Sequence, residues 1–228
     1  MLKTKNGDWP KRRKCRPSIP IGKAVLMIYC GKRTEPQYFG DALRNIKINK
    51  EIESMGITQF VYKEEILPVD PKGMAEKVLS FVKSHDLSFD EVYVVFDKDD
   101  FKDDNFDNAV AMIDNLNGIA KYPDTTFIAL WSNQCIELWF VLHFEYLQSK
   151  LEREDYFNKL KGLLNLKHKY KKNIGNIYEM VSGSKERLST AINNASKLLD
   201  RCKNESSYSD KFPATNVVEF FKKYKNSL

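Results

Sequence analysis

Ala24-Val-Leu-Met-Ile-Tyr-Cys30, stopped by Gly31 and followed by Thr34-Glu35-Pro36, is the stretch that decides the fold. An unbroken apolar run, with no polar residue at alternate positions, describes a strand buried on both faces. The glycine ends it. Thr34 as N-cap, with an acid and a proline in the next turn, then reads as a helix start. Tyr38, Phe39, Ala42, Leu43 and Ile46 continue at helical spacing.

Working outward, the same signature recurs. Glu91-Val-Tyr-Val-Val-Phe96 is a second buried strand, ending in Asp97-Lys98-Asp99-Asp100. Thr125-Thr-Phe-Ile-Ala-Leu-Trp131 is a third, ending in Ser132-Asn133. Ile57–Val69 holds one or two further short strands. Asp70-Pro71 opens a helix with Met74, Val78, Phe81 and Val82 as its stripe, Asn105–Ile119 reads as another, and Gln134–Ser149 as a very apolar one. Strand and helix alternating with short links predict an α/β fold: a mainly parallel sheet flanked by helices. Past residue 150 the pattern is helical over Glu154–Leu166, Ser184–Leu199 and Asn216–Lys225, with Gly175–Gly183 loop-like. The expected organisation is a basic leader (1–20), an α/β core (21–149) and a helical extension packed on the core (150–228).

Composition narrows the function classes. No apolar run is long enough to span a bilayer, and no secretory signal is visible. The four cysteines (15, 30, 135 and 202) are widely separated, so neither a disulfide framework nor a zinc knuckle is indicated. A cytoplasmic protein with reduced thiols, and no membrane partner, is the expectation. The net charge is +6 over 228 residues, but its placement matters more. Residues 1–23 carry Lys3, Lys5, Lys11, Arg12, Arg13, Lys14, Arg16 and Lys23 against Asp8 alone. A second basic cluster runs Lys167-His-Lys169-Tyr-Lys171-Lys172. Together with Arg33, in the first strand–helix turn, these segments are candidate contacts for a nucleic-acid backbone. A solvated basic surface would read the same way.

In an open α/β sheet chemistry gathers beyond the carboxyl ends of the strands. Asp97 and Asp99, two apart at a strand end, should project together with Lys98 opposed. Converging carboxylates call for a cation, and Mg²⁺ or Mn²⁺ suits hard oxygen ligands. Glu35, at a helix N-terminus, is a further candidate ligand or base. Glu137 lies in a segment apolar all round and needs a partner, structural or catalytic. His143 should not share the Glu137 face and reads as structural. Ser132 and Asn133 read as caps of the following helix, and Cys30 as a small buried hydrophobe.

Gly31-Lys-Arg-Thr-Glu-Pro-Gln-Tyr-Phe39, Val95-Phe-Asp-Lys-Asp-Asp-Phe101 and Ser132-Asn-Gln-Cys-Ile-Glu-Leu-Trp-Phe-Val-Leu-His-Phe144 resemble the RloB family in order and spacing. Pro213-Ala-Thr-Asn-Val217 resembles its closing motif. The likeness spans roughly residues 20–225. It implies a Toprim-like α/β domain in a bacterial defence protein, often encoded beside an ATPase partner. Toprim folds use a Glu after the first strand and a later Asp-x-Asp to hold Mg²⁺ for phosphoryl chemistry, so the resemblance implies a nuclease acting on DNA or a structured RNA. The Asp-x-Asp corresponds to Asp97 and Asp99. Where the family reads Cys-Glu-Gly, this chain reads Tyr29-Cys30-Gly31, placing a soft sulfur at the acid's position. Either Glu35 substitutes, or the site is weakened, or the domain binds nucleic acid or a partner without catalysis.

Overall fold

The computed structural model describes residues 22–48, 59–67, 69–85, 88–119 and 121–228. The leader residues Arg12, Arg13 and Lys14 lie outside them. The described elements, in chain order, are β1 (Gly22–Tyr29), α1 (Thr34–Ile48), β2 (Gln59–Ile66), α2 (Pro71–Ala75), α3 (Val78–Ser84), β3 (Glu91–Asp97), α4 (Asp103–Asp114) and β4 (Thr126–Asn133). There follow α5 (Glu137–Val141), α6 (Arg153–Leu163), α7 (Ile177–Ser182), α8 (Lys185–Arg201), β5 (Ala214–Thr215) and α9 (Val218–Tyr224), which ends in a short 3₁₀ turn.

The sheet runs β2-β1-β3-β4-β5. Its first four strands are parallel, and β5 is antiparallel to β4. Successive side chains of a strand face opposite ways, and each central strand feeds two cores. Val25, Met27, Tyr29, Tyr93, Val95 and Leu130 pack with α1 and α5–α9. Leu26, Ile28, Val92, Val94, Phe96 and Trp131 pack with α2–α4. Coverage of both faces is why these strands read as continuous apolar runs. The arrangement is a mostly parallel sheet flanked by helices, consistent with a Toprim-like fold.

The C-terminal helices cover one face of the sheet, and β5 extends the sheet itself. Ser132 pairs with Thr215 in register, so residues 150–228 supply a strand as well as helices. Among the described residues no helix is long and apolar enough to cross a membrane.

Four local expectations are corrected. The helix expected over Gln134–Ser149 is only α5, one turn long. His143 and Phe144 bond back to the carbonyls of Phe140 and Val141, closing a tight turn, after which Glu145 leaves to pair with Lys159 at 2.6 Å. The segment is apolar because sheet and helices enclose it, and enclosure hides periodicity. The helix expected from Asp70 is split into α2 and α3 where Lys77 and Ser80 bond three residues back. Gly175–Gly183 contains α7, whose Ile177, Tyr178 and Val181 are buried. Thr34 lies inside α1 rather than before it; its hydroxyl donates to the Lys172 carbonyl at 2.9 Å.

Candidate active site

The carboxyl ends of β1 and β3 open into a cleft of about 680 Å³. It is lined by the β1–α1 turn from Cys30 to Glu35, by Asp70 at the start of α2, by Asp97, Asp99 and Phe101 after β3, and by Lys172.

β1 and β3 are neighbours in the sheet, so the residues that end them meet. Glu35 sits in the first turn of α1 and is 6% exposed. Its carboxyl folds back over Gly31, where a β-carbon would collide with it. A side chain at position 31 would therefore displace this carboxyl from where it lies. Burial raises Glu35 to about 7; Lys172 opposes the rise, and Glu137 and Asp99 add to it.

Asp97, the last residue of β3, is also 6% exposed. Burial, then the charges of Glu35 and Asp99, push its carboxyl well above the usual range. Among the described residues its Oδ2 has no hydrogen-bond partner. Asp99 does not continue the strand. It occupies a turn with φ 43°, a left-handed conformation that Asp tolerates better than most residues. Strand alternation is thus not what brings Asp99 to Asp97; the turn is. Its amide is held by the Gln134 carbonyl at 2.9 Å, and its carboxylate by Arg153 at 2.6 Å.

Glu137 is fully buried at the start of α5. Burial raises its carboxyl, while Lys172 and the Cys135 thiol act against the rise. Among the described residues neither of its oxygens, nor the buried Tyr170 hydroxyl beside it, makes a well-formed hydrogen bond. Asp70, by contrast, is committed: it accepts from Gly73 N at 3.0 Å and from Asn105 Nδ2 at 2.7 Å.

The basic residues divide. Arg33 and Lys32 are exposed on the rim of the cleft, and Lys167, Lys169 and Lys171 are exposed beyond it. Lys169 is paired with Glu154 at 2.6 Å. Lys172 turns inward instead. Burial alone would lower its ammonium, but Glu137, Asp97, Asp99 and Glu35 outweigh this and raise it. Cys30 is half-buried: it packs against the core on the α2–α4 face and also lines the cleft. Burial, Asp97 and Glu35 push its thiol up to about 12, so it is not a ready nucleophile.

Three expected structural residues find other partners. Ser132 and Asn133 lie in β4 and cap nothing. Ser132 Oγ meets Thr215 Oγ1 at 3.0 Å, and Asn133 Nδ2 donates to the Ser209 carbonyl at 2.7 Å, so both dock the C-terminal segment. His143 closes a buried ring of hydrogen bonds. Its Nδ1 donates to the Trp139 carbonyl at 2.9 Å, which leaves Nε2 to accept from Ser182 Oγ at 3.1 Å. Ser182 Oγ is met by Tyr38 Oη at 3.0 Å, and Trp139 Nε1 donates to Tyr38 Oη at 2.8 Å. The ring fastens α1, one turn beyond Glu35, to α5, two residues beyond Glu137. Arg153, Tyr170 and Ser182 have no local signal in the sequence; Tyr38 and Trp139 lie inside two of the quoted motifs.

The donors fit a hard divalent cation in kind: several carboxylates, with the Asp97 Oδ2 unbonded among the described residues. Among the described residues, however, no three such side chains converge on one point. Lys172 stands among them, and Arg153 holds Asp99.

No curated protein and no solved structure matches the chain. A family model described as RloB-like protein matches residues 26–223. That span takes in the second half of β1, the four other described strands and the whole acidic cleft, and the chain accordingly belongs to the RloB-like protein family.

Proposed function

We propose that this protein is a Mg²⁺- or Mn²⁺-dependent nuclease, hydrolysing phosphodiesters of DNA or a structured RNA in antiphage defence. The observation that carries the reading is buried Asp97, whose Oδ2 has no hydrogen-bond partner among the described residues, at the carboxyl edge of a parallel sheet in an open cleft, with buried Glu137 behind it. Buried charge without partners is costly, and a site that takes up a cation recovers that cost.

Asp97 and Asp99 would hold the ion, with Glu35 beside them and Glu137 behind. The chemistry such an ion supplies is polarisation of the phosphodiester and a lowered pKa for water. Glu35, raised to about 7, can hold a proton near neutrality at its carboxyl oxygens. Arg33 and Lys32 stand where a phosphate backbone would cross the rim. Gly31 keeps the turn open for Glu35, and the Tyr38–Trp139–His143–Ser182 ring keeps α1 and α5 in register.

A second reading has one observation in its favour: Arg153 already neutralises Asp99. On that reading the domain binds nucleic acid or a partner without cutting. One experiment separates the two. The pure protein is incubated with plasmid, single-stranded DNA and total tRNA, with Mg²⁺, Mn²⁺ or EDTA in parallel, beside Asp97→Asn. Metal-dependent cleavage lost in the variant is expected. Binding without cleavage under every condition supports the second reading.

A further inference from the structure

Lys172 ends a basic run whose other lysines are exposed, yet it is half-buried and lines the acidic cleft. The backbone explains the difference. Its own carbonyl is held by the Thr34 hydroxyl at 2.9 Å. Two residues earlier Tyr170 is buried in the core, in the electrostatic company of Glu137 and Glu35. The segment is thus pinned against both the β1–α1 turn and the floor of the site, and Lys172 is delivered between them.

Glu35, Asp97 and Asp99 line the same cleft as Lys172, and the charges of these three and of Glu137 act on its ammonium. Arg153 approaches Asp99 from the α6 side and also reaches Asp100 at 3.5 Å. Of the acids that act on Lys172, Glu35, Asp97 and Glu137 are in no ion pair among the described residues. An ammonium and a divalent cation repel each other, and in a partly desolvated cleft that repulsion is poorly screened. The two are therefore alternative occupants of the same acidic cleft.

We propose that Lys172 is the resident counter-ion of the cleft: its ammonium balances Glu137, Asp97 and Glu35 in the metal-free protein and must withdraw for a divalent cation to enter. The withdrawal half rests on the metal-binding reading above; the counter-ion half does not. On withdrawal Lys172 joins Arg33 and Lys171 at the rim, so that filling the site also completes the basic edge facing substrate.

The test uses the full chain and three variants, read by thermal melting at pH 8 with no metal, then with Mg²⁺ or Mn²⁺ titrated in. Lys172→Met should melt several degrees lower than wild type without metal, Lys172→Arg should not, and Lys172→Met/Glu137→Gln should recover most of the loss. Metal should raise the melting temperature of Lys172→Met more than that of wild type, with half-saturation at about tenfold lower concentration. An unchanged melting temperature in Lys172→Met, or a loss that Glu137→Gln does not repair, overturns the counter-ion role. A weaker metal response in Lys172→Met than in wild type overturns the withdrawal, since the lysine then assists binding. If neither protein responds to metal while the double variant still recovers, the counter-ion role stands and the metal-binding reading falls. Should Lys172→Met alone fail to fold, folding of the double variant carries the counter-ion prediction, and its failure refutes it.

Discussion

The strand β3 begins and ends on a buried acid, and the two ends are built on opposite principles. Glu91, at its amino end, is 1% exposed and Asp97, at its carboxyl end, 6%. Glu91 is surrounded by donors: Lys23 at 2.5 Å, Lys223, the Tyr93 hydroxyl at 2.9 Å and the Tyr224 hydroxyl at 2.6 Å. Burial would raise its carboxyl, but the hydrogen bonds from Lys223, Lys23 and Tyr224 outweigh burial and hold it below the ordinary value. Asp97 meets other acids instead and is pushed up. The same strand thus carries a completed ionic joint at one end and, at the other, an acid with an oxygen that no described residue bonds. Burial of an acid alone does not separate the two ends; unused bonding capacity does.

The largest expected effect breaks the completed end. Glu91→Gln leaves two lysines and two tyrosines around a neutral amide. Because Lys23 and Lys223 are 22% and 45% exposed, the loss belongs at the low end for a broken buried pair, about 3 kcal/mol. That corresponds to a fall in melting temperature of about 6–12 °C for a chain of this size, without loss of any response to Mg²⁺.

A smaller effect distinguishes the ends by pH. Glu35 is raised in the folded state, from 4.5 to about 7. Its contribution is therefore fully present below its unfolded pKa and is lost as pH rises through the folded value. Without metal, stability should decline between pH 4.5 and 7 by on the order of 2 kcal/mol, and Glu35→Gln should flatten that limb. Glu91, lowered in the folded state, contributes above its unfolded value and loses its contribution as pH falls through the folded one. Glu91→Gln should flatten the acid limb instead. Urea melts across pH read both slopes, and equal slopes for the two variants would erase the contrast.

The smallest expected effect has the opposite sign to the first. Asp97→Asn removes a charge that has too few partners, so the metal-free protein should gain about 1 kcal/mol. A loss comparable to that of Glu91→Gln would show that Asp97 is structurally satisfied after all.

Much of this was legible in the sequence. Strands covered on both faces announce themselves as apolar runs, and Asp97 and Glu35 stand where such runs end. The adjacency of Glu35 and Asp97 follows only from β1 lying beside β3, a matter of strand order. Lys172 reads as one more member of a basic run, and what turns it inward is a hydrogen bond from Thr34, 138 residues away in sequence. Arg153 opens an ordinary polar helix. Glu91 heads a strand whose partners at positions 23, 223 and 224 come from both ends of the described chain. Around Glu137 the difficulty is different: a segment enclosed on every side loses the periodicity that separates helix from turn.

The ionic joint at Glu91 also sets a timetable. Tyr224 follows Glu91 by 133 residues, which a ribosome needs on the order of ten seconds to add at about 5–20 residues per second. Through that interval β3 exists while two of the four partners of its first residue have yet to be synthesised. A nascent chain therefore cannot bury Glu91 as the folded protein does until α9 has been made. The joint acts as a late latch on the amino end of β3, closing only once Lys223 and Tyr224 have been added.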